Sequence, residues 1–179
     1  MPIEWESFEA YLEGGNQKDR QEYKKSLQEA EENGLVLSKH TSVSDVDTAL
    51  NLIKNVSIWH GSAPNPWMRG LLENFSMIDG TWLEIHKDDK LVGCAAVIRD
   101  NKFQLTTGVG LEDDVPGGYS LLLYTALQEA FEHNARLVRF GTGAYDTKRR
   151  LGLHLEDTNH AMVSFAGFPT RAAKKLASD

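Results

Sequence analysis

Apolar and polar positions follow two different periods along this chain, and the changes of period mark out its elements. A short Trp5–Leu12 segment comes first, then Gly14-Gly15-Asn16, then a charged stretch ending at Asn33-Gly34. In that stretch Tyr23, Leu27 and Ala30 fall at i, i+4 and i+7, which predicts a helix with one narrow apolar stripe and a glycine stop. Such an arm is expected to pack on a neighbour, either its own domain or another subunit. Leu35–His40 predicts a short strand. Ser44 then predicts the cap of a helix carrying Val46, Ala49, Leu50 and Ile53 on one face. Asn65-Pro66 predicts the start of another, with Trp67, Leu71, Phe75 and Ile78 as its stripe.

The period then shortens to two. Residues 81–87 place Leu83 and Ile85 opposite Trp82, Glu84 and His86. Asp88-Asp89 predicts a turn, and the nearly continuous apolar run Leu91–Ile98 predicts a strand buried on both faces. Asp100-Asn101 predicts a second turn and Phe103–Val109 the returning strand. Gly117–Asn134 predicts a long helix with Leu123, Leu127, Ala130 and Phe131 on its core face. A short strand at Leu137–Phe140, a two-turn helix over 144–151 and a final strand over 154–165 follow. The order is β-α-α-β-β-β-α-β-α-β after a helical arm. It predicts an α/β fold with a mixed, mostly antiparallel central sheet and helices on both faces. The expected division is an arm over 1–34 and one domain over 35–179.

Composition narrows the function. The chain has 179 residues, 41% hydrophobic and 25% charged, which excludes a disordered chain. No apolar run approaches the roughly 20 residues that span a bilayer. The single cysteine, Cys94, lies in an apolar strand and reads as core; with no internal disulfide to form, a reducing cytoplasm is the default compartment. The net charge is −7 and uneven: residues 1–34 hold nine acids and four bases, and residues 136–179 four acids and eight bases. An acidic body excludes a general nucleic-acid binder, while Lys148, Arg149 and Arg150 can meet an anion locally. Six histidines and one cysteine show no metal-ligand spacing; His154 and His160 share a strand face but two ligands make no site, so no metal is expected. Neither a Gly-x-Ser-x-Gly elbow nor a P-loop is present.

Three segments carry a resemblance. Ala144-x-x-x-Lys148-x-x-x-Gly152-Leu153 resembles the helix-four pattern of the GNAT acyltransferase superfamily, which carries Ala, then Tyr, then Gly-Phe at this spacing. Gly118-Tyr119-Ser120-Leu121-Leu122-Leu123-Tyr124, followed by Phe140-Gly141 and then Tyr145 and Lys148, is similar to its FemAB-like/CelD-like branch. The opening Trp5-x-x-Phe8-x-x-Tyr11-Leu12, with Arg20 and Tyr23, resembles the segment leading into the second of that branch's two lobes. The element order over roughly 35–165 is that of the superfamily. The resemblance implies transfer of an acyl or aminoacyl group to an amine, on a small molecule or a peptide, with acyl-CoA or aminoacyl-tRNA as co-substrate. It also implies that, if the site lies between lobes, one lobe alone works as a homodimer, with a partner, or by a different arrangement. Relatives hold the coenzyme A pyrophosphate on a loop before the long helix. Here that loop reads Leu111-Glu112-Asp113-Asp114-Val115-Pro116-Gly117-Gly118, with glycines at the helix start but three acids and no Arg or Gln.

On that resemblance the catalytic candidates are Lys148, in the place of a Tyr general acid, then Tyr145 and Tyr124 as alternative hydroxyl donors. Glu84 on a central strand and His60 in the Trp59-His60-Gly61-Ser62 loop are candidate bases, an imidazole titrating near pH ~6.5 when free. Candidate cofactor contacts are Gly117, Gly118 and Tyr119 at the long helix, Gly141 and Gly143 after the short strand, and Arg149. The bland reading stands beside each: Lys148 paired with Asp146 or solvated, the tyrosines in the core, Glu84 an exposed acid, His60 a loop cap. Two alternatives stay open. One is a coenzyme A-dependent N-acetyltransferase with a degenerate pyrophosphate loop, and the other a non-catalytic GNAT-like module.

Overall fold

The computed structural model describes residues 1–15, 17–63, 65–141 and 144–153. The expected strand over 154–165 lies outside them, as do Gly143, His154 and His160. The arm is two helices, α1 (Phe8–Gly14) and α2 (Gln17–Glu32). Then come β1 (Val36–His40), α3 (Val46–Trp59), α4 (Met68–Glu73) and a single 3₁₀ turn at Phe75–Met77. The meander is β2 (Gly80–Lys87), β3 (Lys90–Asp100) and β4 (Phe103–Leu111), followed by α5 (Gly118–Glu132), β5 (Leu137–Phe140) and α6 (Tyr145–Arg150). The described sheet runs in the order β1-β2-β3-β4-β5, antiparallel except for the β4–β5 pair that α5 connects. This is the mixed sheet the element order predicts.

Alternation decides which helix covers which face. Leu83, Ile85, Ala95 and Val97 form one cluster with Leu122 and Ala126 of α5. Trp82, Cys94 and Ala96 point to the other side, against Ala49 and Leu52 of α3 and Met68 and Leu72 of α4. A third cluster joins Phe8 and Tyr11 of α1 to Leu123 and Leu127 of α5, Val138 of β5 and Leu151. α1 therefore packs on α5 and β5 of the same chain. Burying Phe8 and Tyr11 contributes roughly 1.5–3 kcal/mol each. The Tyr11 hydroxyl also donates to the Leu151 carbonyl at 3.0 Å.

Several expectations are corrected. The cap of α3 is Asp45, whose carboxylate accepts from the Thr48 amide at 3.0 Å, and Ser44 instead lies 3.5 Å from Glu84. The expected helix from Asn65 to Ile78 breaks at Asn74 into α4 and the 3₁₀ turn. Its buried face is Met68, Leu72 and Phe75, leaving Trp67 69% exposed. In α2 Ser26 and Ala30 are buried while Leu27 is exposed, because the face turned to α5 is shifted by one residue from the apolar stripe. β2 alternates in sequence but is buried on both faces from Gly80 to Ile85, since α3 and α5 cover it from opposite sides.

Candidate active site

β4 and β5 pair only from Phe103–Leu137 to Thr106–Phe140. The Gly141 amide makes one more bond to the Thr106 carbonyl at 2.8 Å, and the strands then part. Just past that point β4 bulges. Its register with β3 jumps from Ala96↔Thr107 to Cys94↔Gly110, so Ala95 faces both Gly108 and Val109. Gly108 adopts φ +58°, the left-handed region where glycine carries no penalty. A bulge leaves its extra residue out of the ladder and re-aims the strand.

A cavity of about 150 Å³ fills the splay. Its floor is Thr106 to Val109 and its far wall Phe140 and Gly141. The end of α3 contributes Val56, Ser57 and His60, α5 contributes Tyr119, and α6 contributes Lys148. No carboxylate lines it among the described residues. α6 starts from Ala144 in the left-handed region and ends at Gly152, also left-handed, whose amide returns to Arg149. This tight turn of helix folds Lys148 back over the cavity, where its Nζ donates to the Gly141 carbonyl. Lys148 is buried, and burial pulls its ammonium down from 10.5 to about 8. Tyr119 is pushed up by burial to about 12, so its phenol stays protonated.

The structure brings four predicted residues to this one cavity: Lys148, His60, Tyr119 and Gly141. The His60 and Tyr119 rings stand 6.5 Å apart. It places Glu84, Tyr124, Tyr145, Arg149, Gly117 and Gly118 elsewhere. Glu84, read from sequence as an exposed acid, is 4% exposed and lies two strands away on the α3/α4 face. Its carboxylate accepts from Trp82 Nε1 at 2.8 Å and faces His40 and His86 at 3.5 and 3.6 Å. Tyr124 is buried against Tyr23, ring centroids 4.9 Å apart. Tyr145 is half exposed, and Arg149 is exposed 3.8 Å from Asp146. Gly117 caps α5 at φ +76°, and Gly118 opens it against Val115 and Leu111.

Thr106 is the residue that sequence reasoning passed over. It is fully buried, it lines the cavity, and its Oγ1 has no hydrogen-bond partner. A polar residue in an alternating strand was the only signal for it. Among the described residues no cluster of His, Cys, Asp and Glu is arranged to hold a metal. No helix among them is long and apolar enough to cross a membrane.

A family profile described as "Acetyltransferase (GNAT) domain" matches residues 17–149. The chain belongs to the GNAT acetyltransferase family. Solved GNAT structures share the fold. A predicted acetyltransferase from Clostridium acetobutylicum, solved with acetyl-CoA, superposes at TM-score 0.59 with 14% identity, over 72% of this chain and 96% of that one. A possible acetyltransferase from Clostridium difficile 630 gives 0.56 with 12% identity over 73% and 97%. The GCN5-related N-acetyltransferase from Ralstonia eutropha JMP134 gives 0.58 with 10% identity over 75% and 100%. No curated sequence matches the chain.

The family implies an acyl-CoA donor, and the residues answer differently at its two ends. The splay cavity is lined by β4 residues and a buried ammonium, a lining whose chemistry suits an acyl thioester. The N-terminus of α5 does not fit a diphosphate. A methyl group placed on Gly117 would stand 2.9 Å from Glu29 Cβ and 3.2 Å from its Oε2, and Asp113 and Asp114 precede it in the loop.

Proposed function

We propose that the splay cavity is an acyl-transfer site, at which an acyl group passes from a thioester to an amine. The observation that carries this is the buried Lys148 ammonium, held by the Gly141 carbonyl where β4 and β5 part. The amine nitrogen attacks the thioester carbonyl, forming the C–N bond, and the C–S bond then breaks. Lys148 stabilises the oxyanion and gives its proton to the leaving thiolate; a donor with a pKa of about 8 is matched to that task near neutrality. His60, on the cavity rim, takes the proton that the amine must lose. Thr106, on the cavity floor, keeps a buried Oγ1 without a hydrogen-bond partner.

Phe140-Gly141 and Lys148 are the residues that set the FemAB-like branch apart in this sequence, and their direct contact supports that branch. An aminoacyl-tRNA donor is disfavoured by the net charge of −7. The test is to incubate the purified chain with a short acyl thioester and a panel of small amines and peptides, and to look for the N-acyl product by mass spectrometry. Product that disappears with Lys148→Met is the expected result. No product with any amine, or product unchanged in that variant, overturns the assignment.

A further inference from the structure

The second arm helix runs back along α5. Tyr23 packs on Tyr124 in the middle of α5, and one to two turns later Ser26 and Glu29 reach Gly117 at its start. The contact is close: a methyl group on Gly117 would meet the Ser26 carbonyl oxygen at 3.0 Å as well as Glu29. Burial fixes it, since Ala30 is packed in the core with Leu121 and Leu122, and the Leu35 amide donates to the Ala30 carbonyl at 2.8 Å. The Glu29 side chain thus lies beside Gly117 at the start of α5, ion-paired with Lys25 at 3.3 Å. The end of α2 laid there is itself the negative end of a helix dipole. Glu112 in the adjoining loop is paired with Lys90 at 2.6 Å, while Asp113 and Asp114 are exposed.

We infer that Glu29 is the anion of the α5 N-terminus, so that this chain takes its acyl donor by the thioester and pantetheine arm without seating a diphosphate on that helix. The inference rests on the reading of the splay as the acyl-transfer site. A diphosphate at α5 would meet the Glu29 carboxylate beside Gly117. It would then meet Asp113, Asp114 and the carbonyl end of α2. Glu29 is a specificity-determining residue, selecting donors by what they lack.

The experiment is calorimetric titration of the full chain with acetyl-CoA and with S-acetylpantetheine, which carries the same acyl group and arm without phosphates. S-acetylpantetheine is expected to bind at least as tightly. Acetyl-CoA is expected to bind better as salt is raised, because screening weakens repulsion. Glu29→Gln keeps the side-chain shape and is expected to tighten acetyl-CoA by about two- to fivefold, the size of one charge at a helix terminus, leaving S-acetylpantetheine unchanged. Acetyl-CoA binding about tenfold tighter than S-acetylpantetheine, and weakened by salt, overturns the inference while leaving the acyl-transfer site intact. The expected binding pattern with no amine acylated leaves the inference standing and removes the transfer reading. Binding of neither donor overturns both.

Discussion

The Lys148 ammonium donates to the carbonyl of Gly141, seven residues before it, and so ties α6 to the point where β4 and β5 separate. One bond joins the only cation lining the cavity, among the described residues, to the backbone that opens it. Burial of that cation leaves two measurable marks, one on the reaction and one on the stability.

The reaction should require the charged form. As an ammonium, Lys148 is populated below about pH 8 and lost above it. The turnover number is therefore expected to fall as pH rises through about 8, and Lys148→Met to lower it by about 100-fold or more. A pH profile of kcat checks this, and a rise through the same range would mean that neutral Lys148 acts as a base instead.

Stability should move the other way. The folded chain lowers Lys148 to about 8 from 10.5, so between these values the unfolded chain binds more protons than the folded one. Burying the charge costs stability in full below about pH 8, and the cost fades toward 10.5. Lys148→Met is expected to be more stable than the parent near neutrality, with the gap closing as pH rises across that window. Denaturant unfolding at a series of pH values measures it, and a gap independent of pH would show that Lys148 titrates at its ordinary value.

Thr106 separates stability from activity. Its buried hydroxyl lacks a partner, so Thr106→Val should leave the melting temperature unchanged or raised. Acyl transfer should fall by about tenfold, the equivalent of one hydrogen bond, and Thr106→Ser should restore it. Full activity in Thr106→Val would assign the hydroxyl no part in binding.

Gly110 is where α3 lies directly on β4. A methyl group there would stand 2.6 Å from the Ile53 amide nitrogen and 2.7 Å from the Leu52 carbonyl carbon. Backbone cannot yield as a side chain does, so Gly110→Ala should cost about 2–3 kcal/mol in urea unfolding. It should also raise KM, because the end of α3 that it displaces walls the cavity.

Much of the fold was legible in the sequence. The turn pairs Asp88-Asp89 and Asp100-Asn101 do reverse the chain, with Asp88, Asp89 and Asn101 at positive φ. The apolar run Leu91–Val97 is buried on both faces, and α5 fills its predicted span. These are local signals, written within a few residues of where they act. The α4 region misled because Trp67 is apolar yet faces solvent, and nothing within its own turn of helix says so.

The site was legible only as a set of candidates. Lys148 and His60 were visible as residue types in suggestive places, but so were Glu84 and Tyr124, which the fold sends elsewhere. What the sequence by itself determined is the succession of elements and hence a mixed sheet covered on both faces, because period and turn chemistry act over a few residues. What only the tertiary structure decided is the meeting of Thr106, Gly141 and Lys148 at one splay, and of Glu29 with Gly117. Thr106 and Gly141, and Glu29 and Gly117, lie far apart along the chain. Their approach depends on how two strands diverge beyond their last shared hydrogen bond and on which face of α2 is buried against α5, and neither is written in any local pattern.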